Sequence, residues 1–164
     1  MKPMRPGIEL PRLDEYTGTL PEGWVWQGKL NDERAVLYPD GRVENRHGAP
    51  FSPGKLAKLR HAIDAALREH PGQVLDVALV GIREPRVPAR VVVLDLPQIK
   101  GPFALRYERI ALDFRLTCYD DARACWADHV GKPGYEGIVG RRRSAPYEFG
   151  DSKSMMKSKW RNAQ

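Results

Sequence analysis

Trp24-Val25-Trp26-Gln27-Gly28-Lys29-Leu30-Asn31-Asp32-Glu33-Arg34-Ala35-Val36-Leu37-Tyr38 is the stretch from which the fold is read. Apolar, strand-forming residues flank a short polar interruption, and Lys29 sits in that interruption. Arg34 follows five positions later, as the second apolar run begins. A lysine held between two buried strands is poorly placed for the full solvation that surface lysines enjoy. Taken alone it is a loop lysine. Whether its amine does chemistry depends on partners from elsewhere in the chain.

Downstream, Ala35 to Tyr38 and Arg42 to Asn45 flank Pro39-Asp40-Gly41, which predicts a hairpin. Arg46-His47-Gly48 closes a short polar turn. Ser52-Pro53 predicts a helix start, with Ser52 as cap and Pro53 at the first helical position. Leu56, Leu59, Ile63 and Leu67 give that helix an apolar face to about His70, while Lys55, Lys58, Arg60 and Arg68 face water. His61 and His70 read as surface histidines, since neither has ligand spacing to another His or Cys.

Val74 to Val80 and Arg90 to Leu96 read as strands, each with one acid, Asp76 and Asp95; Asp95 reads as a structural capping acid. Phe103 to Arg115 reads as a helix with Arg106 and Arg109 on its wet side. Asp120-Asp121 can cap a second short helix to about His129. Tyr135 to Arg141 reads as a strand, and Met155 to Lys159 as a final one. Upstream, residues 1–23 carry four prolines and little periodicity, and predict an extended arm before a domain at 24–164. Hairpin strands with helices between them predict an α+β fold of twisted antiparallel sheets with flanking helices.

At 164 residues the chain suits one domain with a real core, and 41% hydrophobic residues predict a globular fold rather than disorder. A formal charge of +6 favours a polyanionic partner. Cys118 and Cys125 are too few for a disulfide framework or a zinc site. With no secretory signal and no apolar run long enough to span a bilayer, the expected compartment is a cytoplasm, including that of a bacterial or phage-infected cell.

Four short pieces then stand in order: Lys29 to Arg34, Asn45-Arg46-His47-Gly48, Glu136-Gly137-Ile138-Val139-Gly140-Arg141, and Met155-Met156-Lys157-Ser158-Lys159. Together they resemble the adenylation domain of ATP-dependent DNA ligases, in the covalent nucleotidyltransferase superfamily that also holds RNA ligases and mRNA capping enzymes. The resemblance covers Trp24 to Trp160. It implies a nucleotidyltransferase (ATP-grasp-like ligase adenylation) domain. It implies Lys29 as the nucleophile on the α-phosphate of ATP. A lysine amine attacks only when deprotonated, and nearby cations favour that form. Arg34, Lys157 and Lys159 would be such cations if the tail folds back, and the same charges would hold the triphosphate. The resemblance further implies nucleotide contacts from Asn31 and Arg46, and a role for Glu136 with Mg²⁺. Arg141, Arg142 and Lys153 are the candidate contacts to nucleic-acid phosphates.

This chain also departs from the pattern. The family's Asp-Gly after the lysine is Asn31-Asp32 here. Its Leu-Asp-Gly-Glu-Leu motif stands as Leu75-Asp76-Val77-Ala78-Leu79, so the glutamate position is Ala78. Asp76 is the possible substitute carboxylate, displaced by roughly 7 Å along a strand. Leu94 stands where an aromatic covers the adenine. No segment is long enough for the OB-fold that most family ligases carry after this domain, which leaves three alternatives: a separate protein supplies it, the protein works without it, or it does not ligate. Two readings follow: a minimal ligase that seals nicked duplex DNA, or a degenerate module that binds nucleic acid or a protein partner without ligating.

Overall fold

The computed structural model describes residues 1–160. In chain order its strands are β1 (Met4–Leu10), β2 (Trp24–Leu30), β3 (Glu33–Leu37), β4 (Val43–Asn45), β5 (Leu75–Val80), β6 (Arg90–Asp95), β7 (Tyr135–Arg142) and β8 (Gly150–Lys159). They form two four-stranded sheets, ordered β1-β8-β7-β2 and β4-β3-β5-β6. The stretch that opens the sequence reading therefore serves both sheets. β2 runs on through Lys29 to Leu30, and only Asn31-Asp32 remains as the crossing to β3 in the second sheet. Lys29 is a strand residue rather than a loop residue.

Strand pleating sorts the side chains of each sheet. In the first sheet Trp24, Trp26, Ile138 and Met156 face away from the second sheet, into a cluster with Cys125 and Trp126 of helix α4 (Ala122–His129). Gln27, Lys29, Val139, Arg141, Met155 and Lys157 project from the opposite face and line a cavity. In the second sheet Ala35, Leu37, Leu75, Val77, Leu79, Val91 and Val93 pack on Leu56, Leu59, Ile63 and Ala66. Ala78, Val80 and Val92 pack instead with Leu30 and Leu116, at the inner side of the cavity.

Several expectations are corrected. The arm over residues 1–23 contains β1, which pairs in parallel with β8, so the first sheet is mixed rather than antiparallel. Pro6 is accommodated because β1 is an edge strand with a register shift between Pro6 and Ile8. The helix expected from Ser52 to His70 is broken into α1 (Pro53–Leu56), a 3₁₀ turn (Ala57–Leu59) and α2 (Arg60–Glu69). The tighter turn brings Leu56 and Leu59 to one side, and both are buried in the core. Ser52 does cap, accepting from the Lys55 N–H at 3.4 Å, and Asp121 caps α4 through the Arg123 N–H. The helix expected to Arg115 stops early: α3 is Phe103–Glu108, followed by a 3₁₀ turn at Leu112–Phe114. His70 is buried, not exposed; its Nδ1 lies 2.7 Å from the Ala66 carbonyl and its Nε2 accepts from the Ala111 N–H at 3.0 Å. The last four residues of the expected 24–164 domain lie outside the described residues. Among the described residues no helix is long and apolar enough to cross a membrane.

Arg106, expected on the wet side of its helix, is fully buried. Its guanidinium donates to both oxygens of Asp95, at 2.7 and 3.2 Å, and to the carbonyls of Gly101 and Ala145. Arg141 donates to the same carboxylate from the other sheet. Burial opposes the charge on Asp95, but Arg141 and Arg106 more than offset it and hold the carboxyl below its ordinary value. Removing that carboxylate leaves two buried cations without their counter-ion. Asp95→Ala is expected to lower unfolding stability by about 3–5 kcal/mol in urea titrations. Arg141→Met, which leaves the Asp95–Arg106 pair intact, should cost less.

Candidate active site

The cavity has a volume of about 350 Å³, within the size range of small-ligand sites. Seven cations line it, Arg5, Lys29, Arg34, Arg46, Arg83, Arg141 and Lys157, against three carboxylates, Asp32, Glu136 and Asp151. Leu30, Leu94, Leu116, Val139 and Met155 supply an apolar portion of the wall. An apolar wall joined to an excess of cations suits a ligand with a flat apolar part and a polyanionic tail.

The Nζ of Lys29 is in ion-pair contact with Glu136. The side chains are 22% and 11% exposed, so the pair opens to the cavity without being solvated like a surface pair. A register shift creates this contact. Lys29 is opposite Gly137 and Leu30 is opposite Tyr135, so Glu136 is the extra residue of a bulge, re-aimed toward the lysine. The glycine after it also has a cause. A Cβ at Gly137 would stand 2.2 Å from the Ser158 carbonyl oxygen, where β8 crosses close to β7. The Glu-Gly pair is thus a bulge residue followed by a close-approach residue. Gly28 before the lysine leaves room for the rings of His129 and Tyr135, which a Cβ would meet at 2.5 and 2.7 Å.

Of the residues expected from the sequence, Lys29, Arg34, Arg46, Leu94, Glu136, Arg141 and Lys157 line this one cavity. Their charges differ in availability. Arg34 donates to Asp76 at 2.6 and 2.7 Å and to the Met4 carbonyl at 2.7 Å. Arg141, expected as a nucleic-acid contact, is 3% exposed and neutralised by Asp95, so it is a wall of the cavity and not a surface grip. Its Nε is buried without a hydrogen-bond partner. Arg46 and Lys157 form no ion pair among the described residues, which leaves their charges for a ligand.

The other expected residues lie elsewhere. Asp76 is 1% exposed and sits behind Arg34, with Tyr147 donating to it at 2.8 Å; its oxygens are taken, so it does not reach the cavity as a substitute carboxylate. Asn31 donates from Nδ2 to Glu84 at 2.6 Å and does not line the cavity. Lys159 pairs with Gly137 at the end of β8, beyond the lining. Arg142 lies over the ring of Trp24 on the opposite face of the sheet, and Lys153 is exposed on β8.

Sequence reasoning missed four charged lining residues, Arg5, Asp32, Arg83 and Asp151. Arg5 lies in the presumed arm and reaches the site only because β1 pairs with β8; it forms an exposed pair with Asp151 at 3.3 Å. Arg83 comes from the loop after β5 and lies 3.7 Å from Glu33. Asp32 had read only as the loss of a glycine. Burial pushes its carboxyl up to about 6, against the pull of Arg34, Lys29 and Arg83, with Glu136 adding to the rise.

The residues fit a divalent cation shared with a ligand. Glu136 offers one hard carboxylate, and Mg²⁺ commonly takes one or two carboxylates and completes its shell with phosphate oxygens and water. No group of three or more His, Cys, Asp or Glu among the described residues could hold a metal alone.

The raised value at Asp32 has a consequence for stability. Between its ordinary 3.8 and about 6 the folded state binds more protons than the unfolded one, so stability falls as pH rises through that window. Asp32→Asn removes the ionisation. It should be more stable than wild type near neutral pH, by up to about 3 kcal/mol, and the difference should vanish below the ordinary value of 3.8. Urea unfolding at a series of pH values checks the sign.

No protein-family model and no curated protein matches the chain. Solved structures do. Mycobacterial DNA ligase D complexed with ATP and MES superposes with a TM-score of 0.67 at 18% identity, over 98% of this chain and 60% of that one. The ligase domain of M. tuberculosis LigD gives 0.66 at 18% identity, over 96% and 59%. A Lig E DNA ligase, described as binding DNA with a minimal scaffold, gives 0.60 at 14% identity, over 93% and 68%. The chain thus spans about 60% of the length of the first two. At these identities the likeness is one of architecture, and the protein has the fold of DNA ligase domains.

Proposed function

We propose that this chain is the adenylyltransferase core of an ATP-dependent DNA ligase, with Lys29 as its nucleophile. The observation that supports this most is the contact of the Lys29 amine with Glu136 inside a cation-lined cavity. The Lys29 Nζ attacks the α-phosphorus of ATP, which is consumed as a substrate. An N–P bond forms, the bond to the bridging oxygen breaks, and pyrophosphate leaves with the electron pair. The amine gives up a proton, for which the Glu136 carboxylate is the acceptor in contact. Arg46, Lys157 and Arg83 stabilise the phosphate charge, while Arg34, bound to Asp76, shapes the wall beside them. Leu94 and its apolar neighbours cover the base. Glu136 would hold Mg²⁺ together with phosphate oxygens, and that ion would supply further neutralisation of phosphate charge.

The lysyl-AMP so formed then passes its AMP to the 5′-phosphate at a nick in duplex DNA. The P–N bond breaks and Lys29 regains its proton. Attack by the 3′-hydroxyl on the activated 5′-phosphate expels AMP and seals the strand. The net positive charge of the chain supports binding to the duplex backbone, which should weaken steeply with added salt. A second reading, a module that binds without ligating, is favoured by one observation: Ala78 leaves the inner wall without the glutamate that the motif carries, and Asp76 is bound to Arg34.

Incubation with α-labelled ATP and Mg²⁺, followed by denaturing electrophoresis, separates the two. Wild type should retain label, and Lys29→Ala should retain none. Glu136→Ala should lower labelling by roughly 100-fold or more, the scale of losing one preorganised electrostatic group. A wild type that never labels yet binds DNA would support the second reading.

A further inference from the structure

The first two residues after Leu30 differ in their relation to the cavity. Asn31, at the position of the family's aspartate, is held outside the cavity. Its Nδ2 donates to Glu84 Oε1 at 2.6 Å, and Glu84 Oε2 accepts from the Gly134 N–H at 3.0 Å. The Asn31 N–H donates to the Gly134 carbonyl at 2.8 Å, so both its backbone and its side chain are tied to one corner. Asp32, at the position of the glycine, lines the cavity instead. Its carboxylate forms no hydrogen bond or ion pair among the described residues. A half-buried carboxylate with no donor is an incomplete arrangement, because burial removes water that nothing in the protein replaces.

The neighbourhood narrows what completes it. The groups acting on its charge are Arg34, Lys29, Arg83 and Glu136, the polar part of the wall. Phosphate oxygens are acceptors only and repel a carboxylate. A divalent cation has Glu136 as its carboxylate in the nucleotide reading above. Leu94 and Leu116 form the apolar part of the wall, which suits the base. The donors on a nucleotide that adjoin its phosphates are the hydroxyls of its sugar. Resting on the nucleotide reading above, we propose that Asp32, and not Asn31, accepts hydrogen bonds from the ribose hydroxyls of the bound nucleotide and so selects a ribonucleotide over its deoxy counterpart.

The test compares binding of ATP, 2′-deoxy-ATP and 3′-deoxy-ATP by calorimetry, in EDTA and again in Mg²⁺. The proteins are wild type, Asp32→Ala, the near-isosteric Asp32→Asn, and Asn31→Ala, each checked for folding by circular dichroism. Wild type should bind ATP about tenfold or more tighter than at least one deoxy analogue, the scale of a hydrogen bond to a charged group. Asp32→Ala should bring that ratio close to one, and Asp32→Asn should reduce it. Asn31→Ala should keep it. An Asp32→Ala protein that retains the preference, or an Asn31→Ala protein that loses it, overturns the assignment. So does an effect of Asp32→Ala seen only in Mg²⁺, which would make the carboxylate a cation ligand. A wild type that binds all three nucleotides equally overturns the role of Asp32 and leaves the nucleotide site standing. A wild type that binds none removes both.

Discussion

Asp95 holds the two sheets together. It stands at the end of β6 and receives Arg106 from α3 and Arg141 from β7, all three buried. No water can solvate such charges, so the geometry must satisfy them internally, and that demand sets the distance between the sheets. A second clamp repeats the logic nearby. Asp76 on β5 binds Arg34 on β3, and Arg34 reaches the Met4 carbonyl on β1 in the other sheet. Tyr147 completes it, donating to Asp76 and accepting from the Met4 N–H at 2.9 Å. The cavity is the space these clamps keep open between two inner faces.

Two local devices then place the amine. Pleating sends Lys29, Arg141 and Lys157 to the inner face and the tryptophans to the outer one. The bulge at Glu136 breaks that alternation once, and the break puts a carboxylate against the amine. Gly137 permits it, because β8 passes too close there for any side chain. The Lys29–Glu136 contact thus depends on an irregularity in one strand pair, supported by a regular sheet on either side.

The cations of the cavity fall into two groups with different physics. Arg34 and Arg141 are committed to buried aspartates, and they shape the wall more than they add charge to it. Arg46 and Lys157 carry charge that no carboxylate in the described chain offsets. A polyanion would find the second group first. The architecture is shared with DNA ligase domains at 14–18% identity.

The sequence by itself determined the strands after the N-terminal arm, the hairpin at Pro39-Asp40-Gly41 and the caps at Ser52 and Asp121, because each is a local pattern of polarity and turn chemistry, and motif order marked six of the residues that line the cavity with Lys29. Among these, motif order marked Glu136 with a role toward a metal. Only the tertiary structure decided which charges meet. Arg106 looks like a wet helix residue until Asp95 is seen beside it, and Asp76 looks available until Arg34 and Tyr147 claim it. Arg5 belongs to the site only through a parallel pairing of the two chain ends. Asp32 lines the cavity because β2 and β3 part into different sheets at that point. Pairing of charges and crossing between sheets join residues far apart in the chain, and local spacing carries no record of either.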